Sequence, residues 1–379
     1  MRVLILSCNT GEGHNSCGKA IQESFGEKQI CCDMEDALRF ISPGISKFIS
    51  FGFARVYRHL PGLFRFGYQY SERHPGVFDK SSGIYKFLTL GADRLHRFIV
   101  AGGYNAVICT HVFSALIVTD ILQRHQPILH TYFVATDYTC SPSCEQSCLG
   151  VYFIPGTDLT EEFVRCGLPS EKLIASGLPV RKDFYHKLRK TSAKESLGLS
   201  PDCPHLLIMC GSMGCGPIRK IARLISKTLP KSCHVSVICG TNRRLQKSLE
   251  RMFAKECRIH IYGYVKDISS MMDSADLYLT KPGGISVTEA AQKRLPMVFV
   301  NAVAGCESYN MRYFMEKGAA VTASTPEELA AISISLLKDK SALQRMSEQF
   351  PESPAIPPSD RISQFVLDSY AAGQWYERK

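Results

Sequence analysis

Short apolar runs that end in turn-forming residues and lead into helical segments recur along both halves of this chain. Val3–Ser7 is the first, followed by the loop Cys8–Gly13 and a helical stretch from about His14 to Phe25. Ile30–Asp33 is a second, weaker run. Ala106–Thr110 precedes a helix over His111–Gln123, Ile128–Ala135 ends in Thr136-Asp137, and Val151–Ile154 comes before a helix from Asp158. The second half repeats the style with Leu206–Cys210, Val235–Cys239, Ile259–Tyr262, Leu277–Thr280 and Met297–Val300. Strands alternating with helices imply parallel βαβ units, so the expected class is α/β with two Rossmann-like, doubly wound domains. A length of 379 residues suits two domains of about 150–200 residues each. The boundaries read as 1–178 and 179–358, with charge and turn residues over Pro179–Pro204 forming the junction. Residues 359–379 follow a Pro-rich turn and read as an amphipathic helix that packs back on the first domain. Residues 39–100 interrupt the pattern and do not read as strands.

Hydrophobic residues make up 45% and charged residues 21%, a globular composition that excludes a fibre or extended disorder. The apolar run at Met1–Leu6 is too short for a signal peptide, and no window offers the ~20 uninterrupted apolar residues of a membrane span. The expected location is therefore the cytoplasm. Sixteen cysteines raise a metal or disulfide question, but no Cys-x-x-Cys pair occurs. The densest group, Cys140, Cys144 and Cys148 with His111 upstream, is flanked by Ser141-Pro142-Ser143 and reads as loop, so no metal is expected. Cys109, Cys210 and Cys239 sit in strand-like runs as small buried hydrophobes, and free thiols are the expected state.

Three motifs carry chemistry. Thr10-Gly11-Glu12-Gly13-His14 follows the first strand and opens a helix whose N-terminus favours an anion. The third glycine falls at Gly18, so the dinucleotide fingerprint is not met. His14 stands where a general base would sit, or else caps the helix without chemistry. Cys210-Gly211-Ser212-Met213-Gly214-Cys215-Gly216-Pro217 runs from a strand through three glycines into a helix, a nest for a phosphate; no Lys-Ser/Thr follows, so it is not a P-loop. Lys281-Pro282-Gly283-Gly284 with Ser286 and Glu289 forms a second anion-seating turn. Glu289 lies about one and a half turns into its helix, where a carboxylate can hold both hydroxyls of a ribose. Two such turns and a ribose carboxylate fit a nucleoside diphosphate.

Lys281–Ala290, with Gly263-Tyr264-Val265 before it and Gly305-Cys306-Glu307-Ser308-Tyr309-Asn310 after it, resembles the C-terminal domain of the glycosyltransferases that include monogalactosyldiacylglycerol synthases and processive diacylglycerol glucosyltransferases. Thr10–His14, Thr136-Asp137-Tyr138 and Ser176–Val180 resemble that family's N-terminal loop, acceptor segment and junction, so the likeness covers nearly the whole chain. It implies the GT-B architecture, with an acceptor and membrane-docking domain first and a UDP-sugar domain second, facing across a cleft. It also implies an inverting hexosyl transfer from a UDP-sugar, UDP-glucose or UDP-galactose, to diacylglycerol or a glycosyl-diacylglycerol, with no cofactor or obligatory metal. Under that likeness Tyr264 and Val265 hold the uracil and Glu289 the ribose. The turns at Gly211–Gly216 and Lys281–Gly284, with Gly13, hold the diphosphate, and Glu307 and Asn310 face the sugar. His14 is the base, with Asp137 as its orienter or rival. Relatives read Pro-Gly-Gln-Glu where this chain has Ala304-Gly305-Cys306-Glu307, which leaves the sugar open.

From Arg39 to Tyr70 there are five Lys/Arg, no Asp/Glu and nine aromatic residues. Phe48, Phe51, Phe53, Arg55 and Arg58 on an amphipathic helix suit docking on an anionic membrane, the inner face of the cell membrane. A core helix with a solvated face is the other reading. Stacking on single-stranded nucleic acid is a third, and the family resemblance favours the membrane and no nucleic acid. Two other functions keep the fold, a UDP-sugar 2-epimerase and a non-catalytic UDP-sugar sensor.

Overall fold

The computed structural model describes residues 1–9, 11–300 and 305–373, with backbone only at Ser50, Phe53, Ala54, Tyr57, Arg58, His59, Pro61, Phe64 and Pro75. The chain divides into two compact units. The first comprises Met1–Arg181 with the C-terminal segment from Pro354, and the second most of Lys182–Ser353.

Six parallel strands build the sheet of the first unit: β1 (Arg2–Ser7), β2 (Cys31–Asp36), β3 (Ala106–Cys109), β4 (His130–Val134), β5 (Val151–Ile154) and β6 (Leu173–Ala175). Their order is β2-β1-β3-β4-β5-β6. The central strands are buried at every position, as a sheet covered on both faces requires. Helix α1 (Glu12–Glu27) returns over the sheet, burying Cys17, Ala20, Ile21, Ser24 and Phe25 at helical spacing. Gly18 lets it sit close, because a Cβ there would lie 2.9 Å from Met34 Cε.

Residues 39–100 are helical: α2 (Pro43–His59), α3 (Pro61–Arg73), α4 (Gly83–Thr89) and α5 (Ala92–Ala101). Helix α6 (Val112–His125) leaves β3. The C-terminal helix Pro358–Ala371 lies against α1, where Ser24 Oγ meets Ser363 Oγ at 2.7 Å and also bonds Asp360. Its Phe365 meets Phe153 edge-on at 5.5 Å.

The second unit has its own six parallel strands: β7 (His205–Met209), β8 (His234–Ile238), β9 (Ile259–Tyr262), β10 (Leu277–Thr280), β11 (Met297–Phe299) and β12 (Ala320–Thr322). The order β12-β11-β10-β7-β8-β9 is the doubly wound dinucleotide-fold arrangement. Its core joins Leu206, Ile208, Val235, Val237, Leu277 and Leu279 to Ile221 and Ile225 of the helix Ile218–Thr228. Strands β6 and β12 have three residues each and are too short to stand out as apolar runs. The second strand starts at Cys31 and runs to Asp36, beyond the expected Ile30–Asp33.

Candidate functional site

Each sheet reverses its strand order once, and in such folds ligands gather at the carboxyl ends of the strands beside the reversal. In the first unit that point lies between β1 and β3, paired with Leu6 opposite Cys109. The loop after β1 delivers α1, and His14 is the third residue of this helix, not its cap. Its Nδ1 lies 2.8 Å from the Thr110 carbonyl oxygen, just past β3. A carbonyl can only accept, so Nδ1 carries the hydrogen and Nε2 keeps a free lone pair. Thr136 Oγ1, just past β4, is 3.0 Å from the same nitrogen. Burial pushes the His14 pKa below its usual value of 6.5, while Asp137 and the Thr110 carbonyl act the other way. The ring is therefore neutral at pH 7, with a proton acceptor on a fixed atom.

Asp137 is half-buried beside Thr136. The bonds that orient the His14 ring come from Thr110 and Thr136, and Asp137 acts on it through charge. Thr110 does not stand out in the sequence, and Thr136 stands out only within the Thr136-Asp137-Tyr138 segment, with no bond to His14 expected of it. Thr10 lies outside the described residues. Gly11 has extended backbone and open space around it, so it makes no steric demand. Gly13 is the second residue of α1 and belongs to the first unit, apart from the other residues assigned to the donor.

In the second unit the reversal lies between β7 and β10, with Met209 opposite Thr280. The loops after these two strands hold the two expected turns. Gly211, Gly214 and Gly216 have φ of 69°, 55° and 94°. A Cβ on Gly214 would meet the Cys239 carbonyl at 2.4 Å, and one on Gly211 would meet Lys281 Cε at 2.7 Å. The glycines set the path of the loop, while the Gly214 N–H is spent on Gly211 O at 3.2 Å. Ser212 O accepts from Thr241 N–H at 2.8 Å, tying the loop beside Met213 to the segment after β8.

The other turn opens the helix Gly284–Gln292 with Gly283 as its N-cap. The Gly283 N–H turns back to Lys281 O at 2.9 Å, so Gly283 shapes the turn. Val287 N–H is bonded to Gly283 O at 3.0 Å, which leaves the amides of Gly284, Ile285 and Ser286 in the first turn, the seat for an anion. The Ser286 hydroxyl meets Tyr278 Oη at 2.9 Å. Lys281 Nζ donates to Glu307 Oε1 at 2.9 Å, placing a cation and a carboxylate at the switch point. Glu289 is half-buried on the same helix. Tyr264, after β9, is 71% exposed, and Val265 beside it is half-buried.

Asn310 needs correction. It is fully buried, and its Nδ2 donates to the Pro282 carbonyl at 3.0 Å, so it braces the turn from behind and shows no surface to a sugar.

The basic aromatic segment forms α2 and α3. Phe48 is 77% and Phe51 63% exposed, which excludes a core role for these two, and the Arg55 guanidinium stands 5.7 Å from the Phe51 ring centroid. The side chains of Phe53 and Arg58 lie outside the described residues. Among the described residues, no helix is long and apolar enough to cross a membrane.

Solved structures of the same build span the chain. Acinetobacter baumannii MurG matches with a TM-score of 0.65 at 13% identity, over 97% of this chain and 99% of that one. The UDP-GlcNAc 2-epimerase of Neisseria meningitidis, bound to UDP-GlcNAc, matches with 0.61 at 12% identity, over 98% and 100%. The fold is therefore GT-B, two Rossmann-like domains in one chain, a class that leaves transferase and epimerase both open. The sequence narrows it. Residues 14–180 match the monogalactosyldiacylglycerol (MGDG) synthase model, and residues 205–356 match the glycosyltransferase family 28 C-terminal domain, so the chain belongs to this glycosyltransferase family. Among curated proteins, the processive diacylglycerol beta-glucosyltransferase of Staphylococcus saprophyticus is 26% identical over 92% of this chain and 87% of that protein.

Proposed function

We propose that this enzyme transfers a hexose from a UDP-sugar to diacylglycerol or a glycosyl-diacylglycerol, with inversion, while docked reversibly on an anionic membrane surface. The observation that carries the reading is the His14 imidazole, neutral and bonded through Nδ1 to a main-chain carbonyl, so that Nε2 is ready to take a proton. In the proposed step the acceptor hydroxyl oxygen attacks C1 of the hexose and gives its proton to Nε2. The bond from C1 to the diphosphate oxygen breaks, and UDP leaves with the electron pair. Base assistance of this kind contributes about 10²–10⁴ in rate.

The departing diphosphate is assigned to the first turn of the helix Gly284–Gln292, the Gly211–Gly216 loop and Lys281, with Glu289 on the ribose and the backbone at Tyr264-Val265 on the uracil. Amides and a lysine there supply the charge stabilisation that a metal supplies elsewhere, so no resident cofactor is assigned. The exposed Phe48 and Phe51 with Lys47 and Arg55 suit an interfacial helix, and no nucleic-acid partner is assigned. The deciding experiment supplies labelled UDP-glucose, UDP-galactose and UDP-N-acetylglucosamine with diacylglycerol vesicles, with and without EDTA. Labelled β-linked glycolipid in both conditions is expected. Conversion of the UDP-sugar without acceptor would favour the 2-epimerase reading, and binding without turnover the sensor.

A further inference from the structure

One residue of the first crevice has no role in that scheme. His111 caps α6, and its Nδ1 accepts the Phe113 N–H at 3.0 Å. A ring nitrogen that accepts from an amide carries no hydrogen, so the hydrogen of this neutral ring is on Nε2. His14 has the opposite tautomer, set by Thr110 O. The two rings meet edge-on, 4.5 Å between centroids and 65° between planes. Phe113 covers His111 at 4.6 Å, and Phe78 lies 5.9 Å beyond Phe113. The main chain thus locks two touching imidazoles into complementary tautomers.

A proton on His111 would have to land on Nδ1 and break the cap, leaving an N–H facing an N–H at a half-buried helix start. It would also set a second charge against His14 once that ring has taken the acceptor proton. Burial and the nearness of His14 both push His111 well below the usual histidine range. Thr110 and Thr136 bond the His14 ring, and the carboxylate of Asp137 acts on it.

We infer that His111 is a positioning residue for the transfer, holding the His14 ring in place and restricting the pair to one added proton. This rests on His14 being the base, and the test separates the two claims. In side-chain nitrogen spectra of the histidine-labelled full chain, His14 is expected as the Nδ1–H tautomer and His111 as the Nε2–H tautomer, with one proton taken up by the pair, below the ordinary histidine range. His111→Asn keeps a capping acceptor and removes the ring. Turnover should fall by about tenfold to a hundredfold with the donor KM unchanged. The acid limb of kcat/KM should move up towards the ordinary histidine value, because the His14 face opens to water. An unchanged rate and limb in the folded variant would overturn the inference. Should the variant not fold, the wild-type spectra decide, since matching tautomers or two independent titrations sink the idea. Absence of transfer by the wild-type enzyme would defeat the function instead, and the spectra would still test the pair.

Discussion

Under the proposed function the two sheets use the same place for opposite purposes. At the reversal of the first, a side chain does the work: one imidazole, stripped of its charge by burial and aimed by a carbonyl. At the reversal of the second, the work falls to the backbone, with glycines at positive φ, a helix opening at Gly284 and the Lys281–Glu307 pair. A proton acceptor must be neutral and closely directed, which burial and one strong bond provide. A diphosphate is large and doubly charged, and many amides spread over two turns suit it better than any one side chain. On the proposed reading the same topology makes a base in one unit and an anion seat in the other, with the loops at the strand ends deciding which.

The contrast breaks if removing the base disturbs the donor. His14→Ala is expected to cost about 10²–10⁴ in turnover with UDP affinity nearly unchanged by calorimetry. An active His14→Ala beside a dead Asp137→Asn would move the base to Asp137.

Histidine in the second unit should act on stability. His205 opens β7 fully buried, with Nε2 2.8 Å from Ser236 Oγ and Nδ1 3.0 Å from Ser274 Oγ, and burial brings its pKa down to about 4. Its folded value lies below the ordinary 6.5 of the unfolded chain, so the unfolded chain binds the extra proton first. The stability it contributes is complete above about pH 6.5 and is lost as pH falls towards 4. The full shift is worth about 3 kcal/mol. Urea unfolding at about pH 7 and about pH 4.5 should show much of that loss. A folded His205→Gln variant should show a shallower dependence, and an equal slope in both would remove His205 from the account.

Within the second unit, Glu289→Ala should weaken UDP binding by about tenfold or more, the worth of a charged partner to two ribose hydroxyls. Unchanged affinity in a folded variant would take Glu289 out of the site.

What is legible in the sequence divides along the same line. The Gly211–Gly216 turn is legible because glycine is the residue that fits its backbone. Gly211, Gly214 and Gly216 announce positive φ, and a turn after an apolar run announces a strand end. His14 is legible because it comes directly after such a turn. Its clamp is not, since Thr110 and Thr136 stand 96 and 122 residues away and reach it because β3 and β4 lie next in the sheet. Asn310 misleads for a related reason. An asparagine near a substrate turn suggests a ligand contact, and here its amide is spent on Pro282 O behind the turn. His111, upstream of a cysteine group of which no metal is expected, carries no role in the sequence, whereas the fold turns it towards His14.

The smallest expected effect concerns α2 and α3, where exposure, not burial, carries the argument. Phe48 and Phe51 stand open beside Lys47 and Arg55, and no acidic residue lies between Arg39 and Tyr70. Each basic side chain near an anionic surface adds about 1 kcal/mol, which salt screens, while buried aromatic area is not screened. Flotation with vesicles should therefore rise with anionic lipid and fall, without vanishing, in high salt. Phe48→Ser with Phe51→Ser should remove the salt-resistant part and lower activity on vesicles by a few-fold, about the worth of two partly inserted rings. Donor binding in the second unit should not change. Equal flotation on neutral and anionic vesicles, with no difference between the double variant and the wild type, would detach this segment from the membrane and leave the exposed aromatics without a purpose there.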